Sequence, residues 1–259
     1  MYKNNKKLIL TVIISIVALA GLLVCNFFQP ATGDKSADKL LSDLIPRAIA
    51  GICFTAIIAL SDFRRILVPD LKNSIGNLIW CIPCFLVVAA NFPFTALAIG
   101  TAKIVRPDLI WLFAINCLFV AVMEESLFRG IIQEIAASRF KGKACEKLLI
   151  VSVTSAVFAL FHLFNLFAGA GIGATLLQVG YSFLIGAMLS AVLLKTNNLW
   201  LCVAMHALFN FGGNLIPAIG LGAFQDSWFW IFTAAAGVIC LVHIVLYLIG
   251  KENSPSVGE

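Results

Sequence analysis

Eight apolar stretches, each close to the length a helix needs to cross the hydrocarbon core of a bilayer, follow one another along this chain. They cover residues 8–28, 44–61, 77–100, 109–138, 148–167, 174–194, 199–216 and 228–249. About 20 apolar residues wound as a helix span the ~30 Å of that core. Inside it every backbone N–H and C=O must find a partner within the protein, which helices achieve by themselves. Only 12% of the residues are charged, where a soluble domain carries about 25%, and mean hydropathy is +1.00. Most of the helices have no polar face to offer water, so lipid must be their solvent.

The expected fold is therefore all-α: a polytopic integral membrane bundle of about eight transmembrane helices. One transmembrane domain is expected over 1–250, with its motif-bearing core at about 109–216 and a short disordered tail at 251–259. The second stretch is the weakest, with Pro46 and Arg47 at its start. The third carries Pro83, Asn91 and Pro93 and is expected to be kinked or interrupted. The first begins after Lys3, Lys6 and Lys7, and Ala18-Leu19-Ala20 imitates a signal-peptide cleavage site. Its apolar run continues to Phe28, however, which favours an uncleaved anchor. Val24 is too bulky a neighbour for Cys25 to be a lipoprotein site.

Loop charges give an orientation. With the N-terminus in the cytoplasm, twelve Lys and Arg fall on the cytoplasmic side and five on the other, while Arg129 lies within the fourth stretch. This asymmetry puts both termini in the cytoplasm, in a cell or endoplasmic reticulum membrane. The net charge of +5 is scattered through short loops and does not point to nucleic acid. Cys25, Cys53, Cys117, Cys202 and Cys240 lie in apolar runs and read as small buried hydrophobes. Cys81 and Cys84 make a single C-x-x-C around Pro83, a spacing too weak by itself to indicate redox or metal chemistry.

All seven Asp residues fall in loops or at segment ends, whereas Glu124 and Glu125 sit well inside the fourth stretch. A charged group at a helix centre costs roughly 2.5–3.5 kcal/mol on insertion scales, so adjacent acids there need a reason. Glu125 and Arg129 share a face at i,i+4, where an ion pair is natural. Glu124 points elsewhere and has no partner on its own helix. His162 lies in the fifth stretch and His206 in the seventh, with Asn210 one turn further along the same face. At 1.5 Å per residue these groups reach compatible depths, between the midplane and the cytoplasmic interface. The plain alternative is that the charges only lock the bundle. His243, alone in the last stretch, reads as a core residue.

Three motifs result, in order and on separate stretches: Glu124-Glu125-x-x-x-Arg129, Phe158-x-x-x-His162 and His206-x-x-x-Asn210. Together they resemble the CPBP family of intramembrane proteases, which includes the CAAX prenyl endopeptidases and proteins linked with bacteriocin processing and immunity. Asn198-Leu199-Trp200 is similar to that family's approach to its last motif. The resemblance covers about 115–215. It implies that Glu124 and His162 activate the attacking water, that His206 and Asn210 steady the oxyanion, and that Glu125, Arg129 and Phe158 shape the site. It implies a peptide or lipidated-protein substrate, and water reaching the site from the cytoplasmic side. Two His and a Glu (Glu124, His162 and His206) are also a plausible zinc set with an open fourth position. No His-Glu-x-x-His is present, so a metal-free glutamate mechanism is preferred while zinc stays open.

Other classes explain less. Gly180-Tyr181-Ser182 with His206 could serve a serine intramembrane protease, but that leaves Glu124, Glu125 and His162 idle. An aspartyl protease needs an Asp deep in a helix, and there is none in the apolar stretches. A proton-coupled transporter could use the same Glu and His, though only the third stretch is interrupted. A non-catalytic immunity or interaction protein would not need the complete set.

Overall fold

The structure, a computed structural model, describes residues 30–69, 74–167 and 169–250, together with Ile13 and Ile16. Apart from those two residues, the first apolar stretch lies outside the described residues, as does the tail at 251–259.

Asp34 starts the first described helix. Its carboxylate accepts from the backbone N–H groups of Ser36 (2.9 Å) and Ala37 (3.2 Å), taking up donors that a helix start leaves without partners. Helix α1 accordingly runs Lys35–Leu60 with Pro46 inside it. This corrects the expected start at 44, because the capped polar turns before Pro46 are already helical. Arg106 bridges Asp34 (2.5 Å) and Asp108 (2.7 Å). Its guanidinium, ahead of the Ala37 N–H, holds the Asp34 carboxyl down to about 2.

The third stretch divides into α2 (Ser74–Trp80), α3 (Ile82–Ala90) and α4 (Phe94–Ile99). It breaks once at Cys81, ahead of Pro83, and again at 91–93. Strand β1 (Ala102–Ile104) then leads to α5 (Ile110–Glu125), a π-helical turn at Ser126–Gln133 and α6 (Glu134–Phe140). α7 (Glu146–Phe161) passes into a 3-10 turn at His162–Leu166. α8 (Ile172–Thr196), α9 (Leu199–Ile219), strand β2 (Gly220–Gly222) and α10 (Ser227–Ile249) follow.

The two strands pair antiparallel, Ala102 opposite Gly222 and Ile104 opposite Gly220. This short ribbon is an addition to the all-α expectation. Gly222 stands at φ +106 with the Thr101 carbonyl where a Cβ would be, so glycine is required there.

Among the described residues six helical spans are long and apolar enough to cross a membrane, running 35–60, 107–140, 146–166, 172–196, 199–219 and 227–249. The protein is a polytopic helical membrane protein. One end of the bundle gathers the ribbon and the Asp34–Arg106–Asp108 cluster. The opposite end gathers the tight α8–α9 turn, where Asn197 adopts φ +49. There Trp200 Nε1 donates to the Leu67 carbonyl at 3.0 Å, and Arg65 pairs with Glu134 at 2.6 Å.

Small residues set the helix spacing, as expected where lipid supplies no hydrophobic drive between helices. A Cβ on Gly51 would lie 3.1 Å from the Met123 backbone nitrogen, joining α1 to α5. Gly130, in the π turn, leaves room for Ile58 of α1, whose Cδ1 occupies the space a side chain would need. Phe54, Ile58, Phe128, Ile131, Leu189 and Leu199 form the fully buried centre around it.

Gly130→Ala should therefore lower stability by about 1–3 kcal/mol, the usual cost of overpacking a filled core. Gly180 faces open space, and Gly180→Ala should leave unfolding unchanged or slightly delayed. Thermal unfolding of both variants in detergent checks the contrast, and equal midpoints would refute this account of Gly130.

Candidate active site

Glu124 and Glu125 are the last two residues of α5, at the point where the helix changes from α to π winding. π-Turns within α-helices occur frequently at functional sites. This one is held by Thr55 Oγ1, 2.9 Å from Ser126 Oγ.

The two neighbouring carboxylates meet different surroundings. Glu125 has no exposed side-chain surface, and its Oε1 lies 2.9 Å from Arg129 Nη1 and 2.6 Å from His206 Nδ1. A carboxylate can only accept, so His206 donates its Nδ1–H and turns Nε2 toward the opposite side of the ring. There Glu124 Oε2 stands 3.5 Å away. Glu124 keeps 16% of its side chain exposed, so it alone of the pair can meet water. It has no partner on its own helix, as expected, but it does have His206 across the bundle.

Arg129 is fully buried. Besides Glu125 it donates Nη2–H to the Gly186 carbonyl at 3.3 Å, and its guanidinium lies 4.4 Å from the centre of the Phe158 ring. Such a stacked cation is worth about 2 kcal/mol or more when desolvated. Phe158 in turn sets its ring edge-on to His162 (5.0 Å) and His206 (6.0 Å). Three helices thus converge on one aromatic ring.

His162 caps α7 at the start of the 3-10 turn, and its Nδ1 lies 3.0 Å from the Phe158 carbonyl. A carbonyl cannot donate, so Nδ1 carries a proton and donates it there, which leaves Nε2 free for another partner. Asn210 follows His206 by one turn of α9, and its backbone carbonyl accepts from Asn214 at 3.0 Å. Its side chain makes no hydrogen bond to the other site residues. The structure therefore links Glu124, Glu125, Arg129, Phe158 and His206 directly. His162 joins them through Phe158, and Asn210 joins by sharing a helix with His206.

Among the described residues no three His, Cys, Asp or Glu side chains converge as metal ligands. His206 has both ring nitrogens directed at carboxylates, and His162 commits Nδ1 to its own helix. Each His thus holds Nδ1 on an oxygen and turns Nε2 away, as a metal-bound His also does, but Glu124, His162 and His206 do not gather into a three-ligand set here.

Some supporting residues were not foreseen. Gly186 takes the Arg129 bond and lies so close to α7 that a Cβ would stand 3.1 Å from Phe158 Cδ1. One turn further on, Gln133 Nε2 donates to the Ser190 carbonyl at 3.0 Å. Gln133, as an amide inside an apolar stretch, could have been noticed; Gly186 gave no signal in an apolar run.

Residues 106–212 match the family described as Type II CAAX prenyl endopeptidase Rce1-like, so this part of the chain is a domain of that CPBP protease family. The matched stretch contains all seven residues of the three motifs. Comparison with curated proteins found no match, and neither did comparison with solved structures.

Arg129→Met would leave Glu125 as a buried carboxylate without its cation, a change that costs about 3–5 kcal/mol. Removing both charges, in Glu125→Gln with Arg129→Met, should be less damaging than Arg129→Met alone. Thermal unfolding in detergent checks the order, and a double variant less stable than the single one would sink the ion-pair assignment.

Proposed function

We propose that the protein is an intramembrane endopeptidase in which Glu124 is the general base. One observation carries this reading: a partly water-accessible carboxylate stands 3.5 Å from a histidine whose far nitrogen is held by a second, fully buried carboxylate. Structural ion pairing accounts for Glu125 and Arg129. It does not account for Glu124, a costly intramembrane charge left facing the accessible side.

The steps follow from the donors and acceptors. A water between Glu124 and His162 Nε2 loses a proton to Glu124 as its oxygen adds to the scissile carbonyl carbon. The carbonyl oxygen becomes an oxyanion. His206, held on Glu125 through its Nδ1–H, offers an Nε2–H to that oxygen, and Asn210 offers its amide. Each such donor is worth about 2.7–4 kcal/mol in the transition state. Glu124 then returns its proton to the leaving nitrogen as the C–N bond breaks, yielding an acid and an amine.

Family membership points to peptide substrates, and prenylated C-terminal peptides are the first class to try. The bundle end that carries Arg64, Arg65, Arg139, Lys141, Lys143, Lys147 and Lys195 is taken as cytoplasmic by its positive charge. Cys145 is exposed in the loop of that end. A variant keeping only this cysteine should react with an impermeant maleimide in inside-out vesicles and not in right-side-out ones. The reverse pattern would invert the topology.

The functional test uses a quenched-fluorescent farnesylated C-a-a-X peptide and a degenerate peptide library in liposomes. Glu124→Ala and His162→Ala should each lower cleavage by roughly 10²-fold or more, the scale of a lost general base, and chelator should have no effect. A cut peptide whose cleavage is indifferent to Glu124→Ala would overturn the mechanism, and loss of cleavage on chelation would overturn its metal-free form.

A further inference from the structure

The interrupted third stretch takes no part in the steps above, yet its second break lies against the helix that carries His206 and Asn210. α3 ends at Ala90, and Asn91, Phe92 and Pro93 separate it from α4. Asn91 Nδ2 donates to the Phe209 carbonyl at 2.7 Å. That carbonyl belongs to the peptide bond whose nitrogen is Asn210. It lies inside α9, where the helix ladder already supplies one partner, and it uses its second lone pair for a donor from another helix.

The approach is possible because α9 carries two consecutive glycines at this level. A Cβ on Gly213 would stand 2.5 Å from Asn91 Nδ2, and one on Gly212 would stand 2.5 Å from Phe92 Cδ2. The notch therefore fits the Asn91–Phe92 pair and little else. Phe92 is further fixed against Phe94 (5.2 Å) and Phe211 (6.1 Å). From the other side Thr233 Oγ1 of α10 donates to the Ala90 carbonyl at 3.4 Å. Irregular backbone at membrane depth is tolerated where it is buried in protein or lines a cavity, and this break is held between α9 and α10.

We propose that Asn91 is a positioning residue, which through the Phe209 carbonyl fixes the turn of α9 that presents Asn210 to the oxyanion. Asn91 itself touches no substrate. The proposal rests on the role assigned to Asn210 above. A displacement of about 1 Å at a reacting geometry can cost ~10²-fold in rate, so one hydrogen bond to this turn is enough to matter.

Two measurements test it. With Phe labelled by 13C at the carbonyl and Asn by 15N, only two peptide bonds carry both labels, Phe164–Asn165 and Phe209–Asn210. In Asn91→Ala the Phe209 carbonyl signal should move upfield, as one hydrogen bond is lost, while the Phe164 signal stays. An unmoved Phe209 signal overturns the proposal without recourse to any substrate. The second measurement is a double-mutant cycle on the farnesylated peptide, or on the library peptide that wild type cleaves. Asn91→Ala should lower kcat by about tenfold with KM within about twofold, and should lower it less than about twofold when Asn210→Ala is already present. Equal losses in both backgrounds mean that Asn91 acts independently of Asn210, and the proposal fails. If Glu124→Ala is inactive in that case, the protease reading stands and only this proposal falls. If Glu124→Ala still cleaves, the reading falls and takes the proposal with it.

Discussion

The bundle is organised around one oxygen. Glu125 Oε1 accepts from Arg129 on its own helix and from His206 on α9. Arg129 reaches Gly186 on α8 and lies over Phe158 of α7. A bare carboxylate buried this deeply would cost several kcal/mol, and only good geometry with further hydrogen bonds offsets that penalty. The arrangement is therefore self-enforcing: each of four helices must stand where its donor, carbonyl or ring satisfies the pair. Apolar packing alone would allow these helices to slide or rotate at little cost in lipid, where a leucine facing a neighbour and a leucine facing a tail are nearly equivalent.

That constraint also separates two chemically identical residues. Successive residues on a helix point about 100° apart, so when Glu125 turns into the bundle Glu124 cannot follow it. Glu124 is left partly exposed, 3.5 Å from the far nitrogen of the ring its neighbour holds. The buried Glu fixes the orientation of His206 through Nδ1, and the accessible one faces Nε2. Exchanging the two positions would place the accessible carboxylate away from the ring, so a Glu-Glu pair is informative in a way that two separated acids are not.

Much of this was legible because polar residues inside apolar stretches have few innocent explanations. The costly charges identified Glu124, Glu125 and Arg129, and the period of the helix paired the last two correctly. The long spans were found nearly to their ends, since length and hydropathy decide them. What stayed hidden depends on close contact between segments distant in sequence. The π turn at Ser126–Gln133 leaves no mark in residue type. Gly130 and Gly186 matter for what lies opposite them, Ile58 and Phe158, which periodicity cannot name. The early start of α1 came from the Asp34 cap and its Arg106 clamp, both polar and therefore outside an apolar run. The ribbon of β1 and β2 joins residues more than a hundred positions apart, through three-residue strands too short to show a pattern.

The broken third stretch shows how the same accounting governs backbone and side chains. A continuous helix satisfies itself in lipid and needs nothing from its neighbours. A helix that stops at Ala90 frees carbonyls and amides at membrane depth, and these must be met by protein. Here Thr233 meets the Ala90 carbonyl from α10, while Asn91 and Phe92 pass into the glycine notch of α9. The break is thus stable only where both neighbours are present, and the neighbour with the notch is the helix that bears His206 and Asn210. A segment that must be held by its surroundings also holds them, which makes an interruption a means of fixing a neighbouring helix that a smooth apolar face could not provide.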